Sequence, residues 1–100
     1  MIFNQINNLR RYVKACDYSN LITTLSGGSL AKTWTATKDC WLVGRCHAYA
    51  NNNYNGSLSI NGNYVINTSP TEKISFCLYV TKGTAVTYYG TTNISVFGCL

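Results

Sequence analysis

Asn61-Gly62 stands between two short runs that alternate polar and apolar residues, Ser57-Leu-Ser-Ile60 and Asn63-Tyr-Val-Ile66. Asn-Gly takes the two positive φ angles of a type I′ turn at little steric cost, and the twist of that turn matches paired strands. Residues 57–66 therefore predict a two-residue β-hairpin. The same grammar runs through most of the chain. Residues 21–25 read as a weak strand closed by Ser26-Gly27-Gly28-Ser29, and 32–36 as a β-prone run ended by a tight turn at 37–40. A longer strand at 41–50 stops at Asn51-Asn52-Asn53-Tyr54-Asn55-Gly56. Beyond Pro70, the only proline, strands are predicted at 74–80, 84–89 and 94–100, separated by Thr81-Lys82-Gly83 and Gly90-Thr-Thr-Asn93. Seven or eight short strands at this spacing indicate an all-β sandwich or barrel.

Composition agrees. Of 100 residues, 46% are hydrophobic and 11% charged, and neutral polarity comes from eight Gly, eight Tyr and many Asn, Thr and Ser. Such a mixture suits strands and turns, and its apolar content argues against disorder. Three carboxylates and one His leave little material for acid–base chemistry, so no enzyme activity, catalytic residue or cofactor is expected. The formal net charge of +5 is spread out. Arg10, Arg11 and Lys14 cluster, whereas Lys32, Lys38, Arg45, Lys73 and Lys82 sit beside predicted turns, a weak basis for nucleic-acid binding.

Cys16, Cys40, Cys46, Cys77 and Cys99 are odd in number and form no C-x-x-C pair, so neither a zinc site nor a disulfide framework is expected. They read as free thiols in a protein made in a reducing cytosol. The start, MIFNQINNLRRYVK, does not read as a secretory signal, and no apolar run is long enough to insert in a membrane. The glycosylation-like triplets at Asn55, Asn67 and Asn93 are then chance matches in an Asn-rich chain.

Residues 1–16 follow a different period. Ile2, Ile6, Leu9, Val13 and Cys16 are spaced four, three, four and three, an amphipathic helical seam. Two heptads are marginal alone in water, which leaves two readings, a stalk that associates with its own copies or an arm on the β domain of residues 17–100. The faces of the late strands point to self-association as well. In residues 74–80 the core face holds Ile74, Phe76, Leu78 and Val80, while Ser75, Cys77 and Tyr79 face outward without a charge. Residues 94–100 set Ile94, Val96 and Leu100 against Ser95, Phe97 and Cys99. A partner subunit is the simplest cover for an uncharged outer face. The alternative is an edge of Tyr and Ser that tolerates water.

Several motifs occur in a telling order: Asp17-Tyr18-Ser19-Asn20, Trp34-Thr-Ala-Thr-Lys-Asp-Cys-Trp41, Ile60-Asn-Gly-Asn63, Val80-Thr-Lys-Gly-Thr-Ala-Val86 and Ile94-Ser-Val-Phe-Gly98. Together they resemble the small trimeric jelly-roll domains, similar in fold to the TNF/C1q group, at the ends of bacteriophage tail fibres and baseplate proteins. The resemblance covers residues 17–100. Cys40 stands where such domains place a turn glycine, and Thr84 where an Asp often follows the glycine. The resemblance implies a jelly-roll homotrimer in a virion tail, with Tyr79, Tyr89, Phe97 and Cys99 as interface candidates. Ile2, Ile6, Leu9 and Val13 would then join the trimer to a fibre or another virion protein.

Cys46 and His47 are adjacent in a predicted strand and so point to opposite faces, which rules out a Cys–His pair. Asp39 and Glu72 fall in separate loops. Sugar binding is the chemistry the composition suits best, because aromatic faces stack on sugar C–H surfaces while amides bond hydroxyls. Asn51, Asn52, Asn53, Tyr54 and Asn55 form the candidate ligand loop for a bacterial surface glycan; a merely solvated turn is the plainer reading. A standalone carbohydrate-binding module and a small single-strand nucleic-acid-binding barrel are the alternatives.

Overall fold

The computed structural model describes residues 13–48 and 55–100. They form eight strands: β1 (Cys16–Ser26), β2 (Lys32–Thr35), β3 (Cys40–His47), β4 (Ser57–Ile60), β5 (Asn63–Asn67), β6 (Lys73–Val80), β7 (Ala85–Tyr89) and β8 (Asn93–Cys99). Two four-stranded antiparallel sheets result, in the orders β1-β8-β3-β6 and β2-β7-β4-β5. The fold is an all-β sandwich, as the strand spacing predicts. Its pairing is nested: β4 with β5, β3 with β6, β2 with β7 and β1 with β8. The chain is thus one long hairpin folded over on itself, with β4–β5 at its tip.

That tip has the predicted turn. Asn61 and Gly62 lie at φ 50° and 83°, the left-handed values a type I′ turn requires. Asn61 also ties the tip to its neighbour, because its Oδ1 accepts from the Ala85 amide at 2.9 Å and its own amide donates to Ala85 O at 2.8 Å.

Alternation places one face of each sheet inside. Leu42, Ile94 and Val96 from the first sheet meet Leu58, Val86 and Tyr88 from the second, and all but Tyr88 are essentially inaccessible. Each buried Leu, Ile or Val stabilises the fold by about 1.5–3 kcal/mol. Cys40 belongs to this core and not to a left-handed turn; among the described residues Asn61 alone has a positive φ without being glycine. Thr84, in the place of the expected carboxylate, is buried beside Thr81 with its hydroxyl 3.4 Å away.

The N-terminal seam needs a partial correction. Ile2, Ile6 and Leu9 lie outside the described residues, whose strands are joined without any helix. Cys16, the last seam position, is in β1 opposite Cys99, and Ala15 O accepts from the Leu100 amide at 2.9 Å. Backbone pairing with β8 satisfies these residues as an extended segment, which fixes them outside any helix. Val13 is exposed and non-helical.

Candidate functional site

On the outward side of the first sheet, cross-strand register assembles rows that the linear sequence does not display. Phe97, Trp41 and Tyr79 make one row, and Ser95, Val43 and Cys77 the next. Trp41 packs on Tyr79 with ring centroids 5.5 Å apart, and Tyr18 meets Phe97 edge-on at 5.3 Å. Trp41 Nε1 donates to Lys14 O at 2.7 Å, which pins the start of the described chain to this face. Apart from the exposed Cys77, the residues of these two rows are half-buried.

Further along, the face changes character. Arg45 lies between Asn93 and Ser75, and His47 opposite Lys73. Arg45, His47, Lys73 and Asn93, with Thr91, line a small cavity of about 110 Å³. The face is therefore aromatic at one end and basic at the other.

Four of the interface candidates divide between two surfaces. Tyr79, Phe97 and Cys99 belong to the outward side of the first sheet, where Cys99 Sγ lies 3.5 Å from Asp39 O. Tyr89 belongs to the second sheet and lines a separate groove of about 510 Å³ with Tyr64 and Asn67. Asn55 also lines this groove, whereas Asn51, Asn52, Asn53 and Tyr54 lie outside the described residues.

The carboxylates serve turns. Asp17 accepts from the Ser19 amide and hydroxyl, Asp39 from the Lys82 amide at 2.8 Å, and Glu72 from the Ser69 amide at 2.7 Å. Hydrogen bonding to Ser69 holds the Glu72 carboxyl below its ordinary value. Cys46 is buried and takes a contact from Thr92 Oγ1 at 3.4 Å, while His47 faces the basic cavity, so the adjacent pair does point apart. Burial raises the Cys46 thiol, and burial, with Cys99 and Asp39 nearby, raises Cys40. The Tyr18 phenol is raised, first by Cys16 and then by Cys77. Among the described residues no three His, Cys, Asp or Glu side chains gather as a metal-binding group, and no helix is long and apolar enough to cross a membrane.

The class that fold and surface define is an antiparallel β-sandwich with two chemically distinct outward faces, one aromatic and basic, the other neutral and polar. In comparisons with known proteins, no family model and no curated sequence matches the chain.

Proposed function

We propose that the chain is a jelly-roll module that self-associates as a homotrimer and belongs to the tail of a phage or prophage. The carrying observation is the pair of rows Phe97–Trp41–Tyr79 and Ser95–Val43–Cys77, an uncharged outward surface centred on a β-sheet. Such a surface is normally covered by another subunit. The nested pairing of β1 with β8 through β4 with β5 supports the jelly-roll topology, and the motif order of residues 17–100 supports the tail assignment. In this reading the segment that precedes β1 and its docked residues joins the trimer to a fibre or neighbouring virion protein, and the role is structural and receptor-facing.

Light scattering across micromolar concentrations tests the assembly. A trimer is expected for the native chain. Val43→Glu places a carboxylate at the centre of the surface without touching the core. Leaving an unpaired charge in an interface costs about 3 kcal/mol or more, roughly a hundredfold in the dissociation constant. A native chain that is monomeric throughout, or a Val43→Glu variant as trimeric as the native chain, defeats the proposal. A competing reading rests on Arg45, His47 and Lys73 at the other end of the face that carries the aromatic row, a combination suited to single-stranded nucleic acid. It requires binding that weakens steeply as salt rises.

A further inference from the structure

β4 is an inner strand of the second sheet, flanked by β7 and β5. Two of its residues, Ser57 and Ser59, are small and line the outward groove together with Thr87 of β7. The neighbours rise on either side. In register, Ser57 lies between Tyr89 and Asn67, and Ser59 between Thr87 and Tyr64. A floor of hydroxyls between two tyrosine walls makes a trough along β4, of about 510 Å³, within the usual range of small-ligand sites.

The chemistry of the trough is selective. Among the described residues no charged side chain lines it. A phosphate-bearing or nucleic-acid ligand needs Lys or Arg to replace its counterions. A purely apolar ligand would strip water from Ser57, Ser59, Thr87, Asn55 and Asn67 without replacing their hydrogen bonds. What remains is a neutral ligand with apolar faces and many hydroxyls. Tyr64 and Tyr89 supply ring surfaces for its C–H faces, and the Asn55 and Asn67 amides can both donate to and accept from hydroxyls. The two tyrosines are two strands apart and offset by two residues, which sets their backbones about 12 Å apart. That span exceeds a single sugar ring.

We propose that this groove binds a neutral oligosaccharide, with Tyr64 and Tyr89 contacting different sugar units. The site is on the opposite side of the sandwich from the proposed assembly surface, so it does not require self-association. Of the loop of residues 51–55 expected from sequence, Asn55 lines this groove, and Asn51, Asn52, Asn53 and Tyr54 lie outside the described residues.

The test begins with a glycan array carrying neutral and sialylated oligosaccharides, probed with the full chain. The best neutral ligand is then titrated against isotope-labelled protein. The expected result is binding of a neutral oligosaccharide with amide shifts at Ser57, Ser59, Thr87 and Tyr64. Tyr64 is 69% exposed, so Tyr64→Ala keeps the native melting temperature, while loss of one stacking contact weakens affinity about tenfold. Tyr64→Phe keeps native affinity, because the ring face remains. Failure of every neutral glycan to bind, binding of sialylated glycans alone, or a Tyr64→Ala variant that binds as tightly as the native chain overturns the assignment. Sedimentation of the same samples separates the two proposals. A monomer that binds sugar refutes only the assembly, and a trimer that binds none refutes only the groove.

Discussion

Gly44→Ala is the substitution whose sign the structure decides. In a strand, Gly is worse than Ala by about 0.5–1 kcal/mol, because its backbone loses more freedom on folding. With space available, the change would stabilise. Gly44 has none: a methyl group there would overlap the Asn93 carbonyl oxygen and reach 3.0 Å from both Asn93 C and Ile94 Cα. Comfortable carbon–carbon contact begins near 3.5 Å, so β8 must retreat by about 0.5 Å or more along its pairing with β3. Overpacking of this kind costs about 1–3 kcal/mol, and the upper end applies because the obstacle is backbone rather than a movable side chain. After the propensity gain, a net loss of about 2 kcal/mol remains. For a domain this size that lowers the melting temperature by roughly 8–16 °C. Thermal unfolding followed by circular dichroism measures it. Gly28→Ala is the matched control, since nothing lies within 4 Å of its added methyl group, and it should be neutral or slightly stabilising. A Gly44→Ala melting temperature at or above the native one would refute the packing argument.

Thiol labelling offers a second check. In the native fold Cys40 and Cys46 are fully buried and should resist a thiol reagent until unfolding, whereas Cys77 is exposed on the single chain. Rapid labelling of Cys40 or Cys46 would contradict the core. The pH dependence has a definite sign. Burial raises the Cys40, Cys46 and Tyr88 values, so the protonated forms are favoured by the fold. Their stabilisation is complete below the ordinary thiol value of 9.0 and is lost as pH rises through the folded values. The melting temperature should hold from pH 7 to about 8.5 and fall beyond it; a constant value to about pH 10.5 would count against these burials.

Local grammar in the sequence carries most of the strands. Asn61-Gly62 announces its hairpin, and the alternation in 74–80 assigns Ile74, Phe76, Leu78 and Val80 to the inside. Alternation gives each strand two faces but does not name its neighbours, so Tyr79 and Tyr89 look equivalent in sequence although they belong to different sheets. The groove is hidden for the same reason. Its floor and walls come from β4, β5 and β7, and the only local trace is the pair of small residues Ser57 and Ser59 flanking Leu58. The place of Trp41 in the centre of the aromatic row depends on register with both β6 and β8. The helical period ending at Cys16 misleads at its last step, because spacing cannot sense that β8 offers that segment a backbone partner. β1 itself is hard to read: between Cys16 and Leu21 four residues lie against the single Gly98, a bulge that breaks alternation.

The strand order β1-β8-β3-β6 also sets a timetable for synthesis. The β4–β5 hairpin can close as soon as residue 67 is free, because its two strands are separated by only two residues. The other sheet cannot, since the strand that joins β1 to β3 is the last of the eight to be made. Until residues 93–99 leave the ribosome, β1 has no partner and the edge of β3 stays open. A chain cut short before Asn93 would carry bare strand edges and an uncovered apolar layer, the combination that draws chains into aggregates. Quality control thus has one late checkpoint, the insertion of β8 between two strands already waiting for it.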